Sequence, residues 1–114
     1  MHEPTFLILT ALATGPLHGY AVMQEVATLS NNRVQVRAST LYDALDRLTA
    51  DALIEVSGEE MVGKRLRRFY RLTDAGGDAL RAEVLRLRSN ADLAVRRLRA
   101  AGLAVGLLLP AVPR

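Results

Sequence analysis

From Leu80 to Leu98 the apolar residues Leu80, Val84, Leu87, Ala91, Ala94 and Leu98 recur at spacings of 4-3-4-3-4, and no other feature constrains the fold of this chain as strongly. The alternation is the heptad-like signature of a helix with one continuous apolar seam, which must be covered. Cover could come from the rest of the chain or from a second copy, and the length of the seam favours a two-subunit bundle. Thr73 stands where an N-cap is wanted, and Arg81, Arg86, Arg88, Arg96, Arg97 and Arg99 read as a solvated face. Residues 77–101 are therefore assigned to a dimerisation helix, and residues 102–114 to an apolar tail.

Upstream, the apolar periodicity breaks into short pieces. Pro4 suits a first helical position, Phe6 to Leu9 and Ala11-Leu12 are apolar nearly all round, and Gly15-Pro16 stops the run, which predicts a buried helix over 4–13. Such a helix needs cover on every side, and part of it is expected from a second subunit, at Phe6 and Leu9. Val22, Val26 and Leu29 place a second helix between His18 and Leu29, ended by Asn31-Asn32. Ser39 or Thr40 can cap a third, whose stripe Leu41, Leu45, Leu48 and Ala52 faces a core while Tyr42, Asp43, Asp46, Arg47 and Thr49 face outward. Residues 53–57 and 66–72 read as strands joined by a turn or loop over 58–63, with Phe69 and Leu72 in the core. The fold class is mainly α with a small β-hairpin (α+β): three helices, a hairpin and a long helix, with residues 1–76 as the first domain.

Charge adds a direction. Lys and Arg exceed Asp and Glu by 15 to 12. Five of these cations, Lys64, Arg65, Arg67, Arg68 and Arg71, fall on the hairpin with no acidic residue among positions 64–71. A cluster so dense repels itself unless an anion is near, and the DNA backbone is the obvious one, since each bound cation releases condensed counterions. An arginine at the loop can also enter a minor groove. By itself the charge run fits a solvated hairpin equally well. Its place directly after two short helices changes that, because this is the order of a winged helix-turn-helix. In that geometry the second helix of the pair lies in the major groove with its N-terminal residues at base edges, which puts Arg37, Ser39, Thr40, Tyr42 and Asp43 nearest the DNA.

Other classes find less support. The chain has no cysteine, hence no thiolate metal site or cysteine nucleophile, and it has no glycine-rich phosphate loop or HExxH pair. His2 and His18 are far apart in sequence, so no metal and no cofactor is expected, and an enzyme is the weakest reading. The N-terminal stretch lacks a basic n-region, and the apolar tail falls short of the roughly 20 residues a spanning helix needs, so a cytoplasmic location without a membrane partner is expected. The alternative is a winged-helix adaptor that binds only protein, because fold does not fix function.

Three stretches carry a family likeness: Leu17-His18-Gly19-Tyr20; Ser39-Thr40-Leu41-Tyr42 followed by Leu45, Leu48 and Leu53-Ile54; and the run from Arg68 to Gly76. In this order and spacing they resemble the PadR family of transcriptional regulators, in its short subclass with a single C-terminal helix. The resemblance implies a homodimer on a palindromic operator in double-stranded DNA, usually a repressor, and in many members one released by a small-molecule effector. It puts Tyr42 and Ser39 at phosphates and base edges, Tyr20 and His18 at the flanking backbone, and Lys64, Arg65 and Arg67 in the groove met by the wing, with Arg68 beside them. Phe6, Leu9, Val95 and Leu98 are candidates to line an effector cavity. The sequence departs from the family at Ala52, where glycine is usual, and at Gly77, where a basic residue is common. Asp43 and Asp46 also bring negative charge to the recognition helix, which costs affinity near phosphates unless one accepts from a cytosine amino group.

Overall fold

The structure is a computed structural model that describes residues 1–105. It contains α1 (Glu3–Leu12), β1 (Leu17–His18), α2 (Gly19–Leu29), α3 (Ala38–Ala50), β2 (Ile54–Val62), β3 (Arg65–Leu72) and α4 (Asp74–Ala100). The chain divides into two compact units, Met1–Glu83 and Val84 onward.

In the first unit, α1, α2 and α3 enclose a core of Leu7, Ile8, Leu9, Leu12, Val22, Val26, Leu41, Leu45, Leu48, Ile54 and Tyr70. Each enclosed leucine or isoleucine contributes about 1.5–3 kcal/mol over the exposed state. The apolar run of α1 finds its cover within its own chain, against α2 and β3. Leu9 is wholly enclosed, which leaves it no surface for a second subunit or an effector and corrects both of its expected roles. Phe6 is only partly buried at the edge of this core. Leu29 is 46% exposed, because α2 ends there and turns away.

The turn between α2 and α3 is built on Ser30. Its buried hydroxyl accepts from the Val34 N–H at 3.0 Å and lies 3.2 Å from the Ala27 and Val34 carbonyl oxygens, which bridges the consecutive left-handed residues Asn31 and Asn32. α3 then begins two or three residues earlier than a Ser39 or Thr40 cap would give. Arg37 holds the N-cap position without a side-chain hydrogen bond, and the Leu41 N–H reaches the Arg37 carbonyl at 2.8 Å. Ser39 and Thr40 therefore sit, exposed, inside the first turn.

The hairpin is longer than its sequence suggested. Residues 58–62 belong to β2, and the reversal is confined to Gly63-Lys64, where Gly63 takes φ +64°. The reason is cross-strand charge: Glu55, Glu59 and Glu60 stand opposite Arg71, Arg68 and Arg67, so residues that look like a polar loop pair as a strand. A β-bulge between Val56 and Gly58 shifts the register. The sheet has a third member, β1, whose Leu17 and His18 pair with Tyr70 and Phe69 to give the order β1-β3-β2. Two residues are too few for a periodic signal. Tyr70, not Phe69, points into the core at 4% exposure, while Phe69 is half-buried with its ring 5.5 Å from the His18 ring, edge to face. Leu72 is partly buried against the core.

α4 starts on Thr73, whose hydroxyl accepts from the Gly76 N–H at 3.0 Å and donates to the Ala52 carbonyl at 2.7 Å. Ala52 lies past the end of α3 with φ +60°, so it does not continue the leucine stripe. Gly76 packs so closely on Leu53 that a side chain there has no room. In the second unit, α4 runs to Ala100 with Leu85, Leu87 and Leu93 exposed, Ala91 and Ala94 exposed, and Val84, Val95 and Leu98 half-buried. Most of the expected apolar tail, from residue 106, lies outside the described residues.

Candidate nucleic-acid interface

The residues singled out from the sequence converge on the space between α2, α3 and the hairpin. Two clefts open there. One, of about 430 Å³, is lined by His18, Gly19, Tyr20, Tyr42, Asp46, Arg65, Arg67, Arg68 and Tyr70 among others. The second, of about 660 Å³, is bordered by Tyr20, Met23, Ala38, Leu41, Tyr42, Arg65, Leu66 and Arg67. Tyr20, Tyr42, Arg65 and Arg67 thus face both, which brings together the start of α2, the start of α3 and the hairpin. Arg37, Ser39, Thr40, Asp43 and Lys64 line neither cleft; they are exposed on the first turns of α3 and at the hairpin turn.

Local structure sets each position. His18 is the N-cap of α2, its Nδ1 accepting the Ala21 N–H at 3.2 Å. Nδ1 is therefore unprotonated and Nε2 carries the hydrogen, so the ring offers a neutral donor. Burial first, and then the nearby Arg67 guanidinium, push the imidazole below its ordinary pKa, against a smaller upward pull from Glu60. Tyr20 and Tyr42 are 56% and 46% exposed, large aromatic surfaces that a monomer core does not use. Burial raises the pKa of the Tyr70 hydroxyl, an effect that Arg68 opposes and Asp46 and Tyr42 reinforce.

The basic cluster is less self-repelling than its sequence implied, because β2 supplies anions. Arg68 Nε lies 3.1 Å from Glu59 Oε2, and Arg71 lies 2.6 Å from Glu55 Oε2. Such exposed pairs contribute only about 0–1 kcal/mol each, but they hold two of the five cations inside the hairpin. Hydrogen bonding to Glu59, then to Tyr70, raises the pKa of Arg68 further. Among the described residues no carboxylate stands within ion-pair distance of Lys64, Arg65 or Arg67, so these three are the cations of the hairpin left without an ion pair. Sequence reasoning could not see this division because Glu59 lies in a segment that looks like loop and the pairing of Glu55 with Arg71 depends on the strand register.

The sequence also passed over Gly19, Met23 and Leu66 as members of this surface. Gly19 and Leu66 sit inside motifs that were noticed, but only the close packing of α2, α3 and the hairpin shows what they touch. No helix among the described residues is long and apolar enough to cross a membrane.

Residues 8–82 match the sequence profile of the Transcriptional regulator PadR-like family. The transcriptional regulator Rv3488 of Mycobacterium tuberculosis is 44% identical over 73 residues, 64% of each chain. A protein of transposon TN4556 from Streptomyces fradiae, 37.1 kDa, is 38% identical over 82 residues, 72% of this chain but 22% of its own length. The chain spans about two thirds or less of the curated relatives it matches. Among solved structures, a PadR family regulator from Eggerthella lenta superposes with TM-score 0.68 at 28% identity, covering 82% of this chain and 80% of that one. Bacillus subtilis PadR, solved in complex with operator DNA, gives TM-score 0.66 at 25% identity over 73% of this chain and 47% of that one.

Proposed function

Because the chain belongs to the PadR-like family of transcriptional regulators, whose fold is that of regulators and not of enzymes, we propose that it binds double-stranded DNA sequence-specifically as a homodimer and represses transcription from a palindromic operator. In this reading α3 lies in the major groove, presenting Ser39, Thr40, Tyr42 and Asp43 to base edges and phosphates, with Arg37 at its mouth. The tip of the β2–β3 hairpin carries Lys64, Arg65 and Arg67 to the adjacent groove, and the starts of α2 and β3 bring His18, Tyr20 and Arg68 to the backbone. The observation that carries the reading is the meeting of Tyr20, Tyr42, Arg65 and Arg67 on one face beside the first turn of α3. Arginines without carboxylate partners and exposed tyrosines suit a polyanion with stacked, hydrogen-bonding edges.

Dimerisation through Leu80, Val84, Leu87, Ala91, Ala94 and Leu98 of α4, with Phe6 as a further contact, belongs to the same reading. It is supported by Leu87, Ala91 and Ala94, which the single chain leaves exposed, whereas Leu80 packs against the core of its own chain and the exposed Leu85 and Leu93 lie off this seam. Release by a small-molecule effector belongs to the same reading, with Phe6, Val95 and Leu98 as the positions at which substitution should alter the response.

The test is binding of purified protein to the DNA immediately upstream of its own gene against a scrambled duplex, followed by footprinting. Preferential binding with two protected half-sites about 34 Å apart supports a dimer in successive major grooves. Equal weak binding to both duplexes overturns it and favours the protein-only adaptor.

A further inference from the structure

The motif glycine at the start of α2 has no part in the reading above, yet it lies against one of its main contact residues. Gly19 is the first residue of α2 and is buried. A Cβ on it would fall 2.5 Å from the Tyr42 hydroxyl oxygen, 2.7 Å from Cζ and 2.8 Å from Cε1. The phenol of Tyr42, carried by α3, therefore lies flush on the backbone of α2, in a space that exists only because residue 19 has no side chain. Tyr42 also lines both clefts at the hairpin, the first of them together with Tyr70.

We infer that Gly19 is a positioning residue for DNA recognition: by admitting the Tyr42 ring against α2 it fixes where the Tyr42 hydroxyl meets the nucleic acid. The inference rests on the DNA-binding reading and deepens it. The obstructing atoms belong to the far end of a side chain that can rotate, so a methyl group at position 19 displaces the ring and leaves the core alone. The backbone of Gly19 is helical and has no positive φ, a conformation any residue adopts. Alanine is also the better helix former. Gly19→Ala thus separates two effects that usually fall together, because it keeps or raises stability while moving a contact group.

The experiment is a double-mutant cycle on the full chain, with wild type, Gly19→Ala, Tyr42→Ala and the double variant titrated against the upstream duplex, each with a thermal melt. Tyr42→Ala is expected to weaken binding by roughly tenfold. Gly19→Ala should weaken it to a similar degree with its melting temperature held or raised. The double variant should bind no worse than Tyr42→Ala alone, since the glycine acts only through the ring. A Gly19→Ala variant that binds like wild type, or whose loss adds in full to that of Tyr42→Ala, overturns the inference while leaving the DNA-binding reading standing. Wild-type protein that shows no preference for the duplex overturns the reading and the inference with it. A contact readout independent of DNA is the nuclear Overhauser effect between Gly19 Hα and the Tyr42 ring, expected in wild type; its absence overturns the inference.

Discussion

Adding the same methyl group to two adjacent glycines should move stability in opposite directions. At Gly76 an added Cβ would overlap the Leu53 carbonyl oxygen and fall 2.9 Å from both the Leu53 carbonyl carbon and Leu72 Cδ1. Two of these atoms are backbone, and the same carbonyl accepts the Thr73 N–H at 3.1 Å, so they cannot retreat without breaking the docking of α4 on the α3–β2 connection. Overpacking of this kind costs about 1–3 kcal/mol, and losing the Thr73 hydrogen bond adds roughly 1 kcal/mol, giving about 2–4 kcal/mol in all. At Gly77 the nearest atoms to an added Cβ are the Arg81 guanidinium nitrogens at 3.7 and 3.8 Å and Leu72 Cδ2 at 4.0 Å, all ordinary contacts. There the helix-propensity advantage of alanine should stabilise by about 0.5–1 kcal/mol. Urea unfolding followed by circular dichroism reads both changes. With a slope of about 1–3 kcal/mol/M, the midpoint should fall by on the order of 1–2 M for Gly76→Ala and rise slightly for Gly77→Ala. Equal midpoints for the two variants would refute the argument that close approach to Leu53, and not helix propensity, decides residue 76.

Ala52 holds φ +60°, where a side chain is strained, so Ala52→Gly should raise stability by about 1 kcal/mol, seen as a higher melting temperature. Ser30→Ala leaves the Val34 N–H without its acceptor in a buried turn and should cost about 1–3 kcal/mol in a denaturant titration. His18 has its pKa lowered by folding, so the folded state binds fewer protons than the unfolded one. Its contribution is fully present above the ordinary histidine value of about 6.5 and is lost as pH falls through the lower folded value. Melting temperatures measured down an acid series should therefore drop more for wild type than for His18→Asn, which keeps a capping side chain without the titration. Arg65→Ala should weaken DNA binding more than Arg68→Ala in matched fluorescence titrations, because Glu59 already engages Arg68.

The order of elements was legible because it depends on local signals: Gly15-Pro16 and Asn31-Asn32 stop helices, and the leucines of α3 are spaced for one face. Thr73 caps α4 as its position suggested. What escaped depends on pairing between distant residues. Glu59 and Glu60 look like loop until Arg68 and Arg67 stand opposite them, and two-residue β1 exists only because β3 is there to receive it. Phe69 was expected in the core but Tyr70 takes that place, because adjacent strand residues point to opposite faces and the register decides which faces inward. Leu9 was expected at a surface because a wholly apolar α1 seemed too large for the cover that one small chain supplies, yet α2 and β3 enclose it. On the interface, the sequence showed which side chains carry charge and aromatic surface, but not that β2 neutralises two of the arginines or that Gly19 admits Tyr42.

The most direct test of the DNA-binding account is the salt dependence of binding to the upstream duplex, compared between wild type and a variant with Arg65, Arg67 and Arg68 all changed to alanine. The account predicts tight wild-type binding that weakens steeply with salt, and a variant with lower affinity and a log–log slope shallower by about 0.9 for each phosphate contact removed. A slope unchanged by the triple substitution, or no preference over a scrambled duplex, would contradict it.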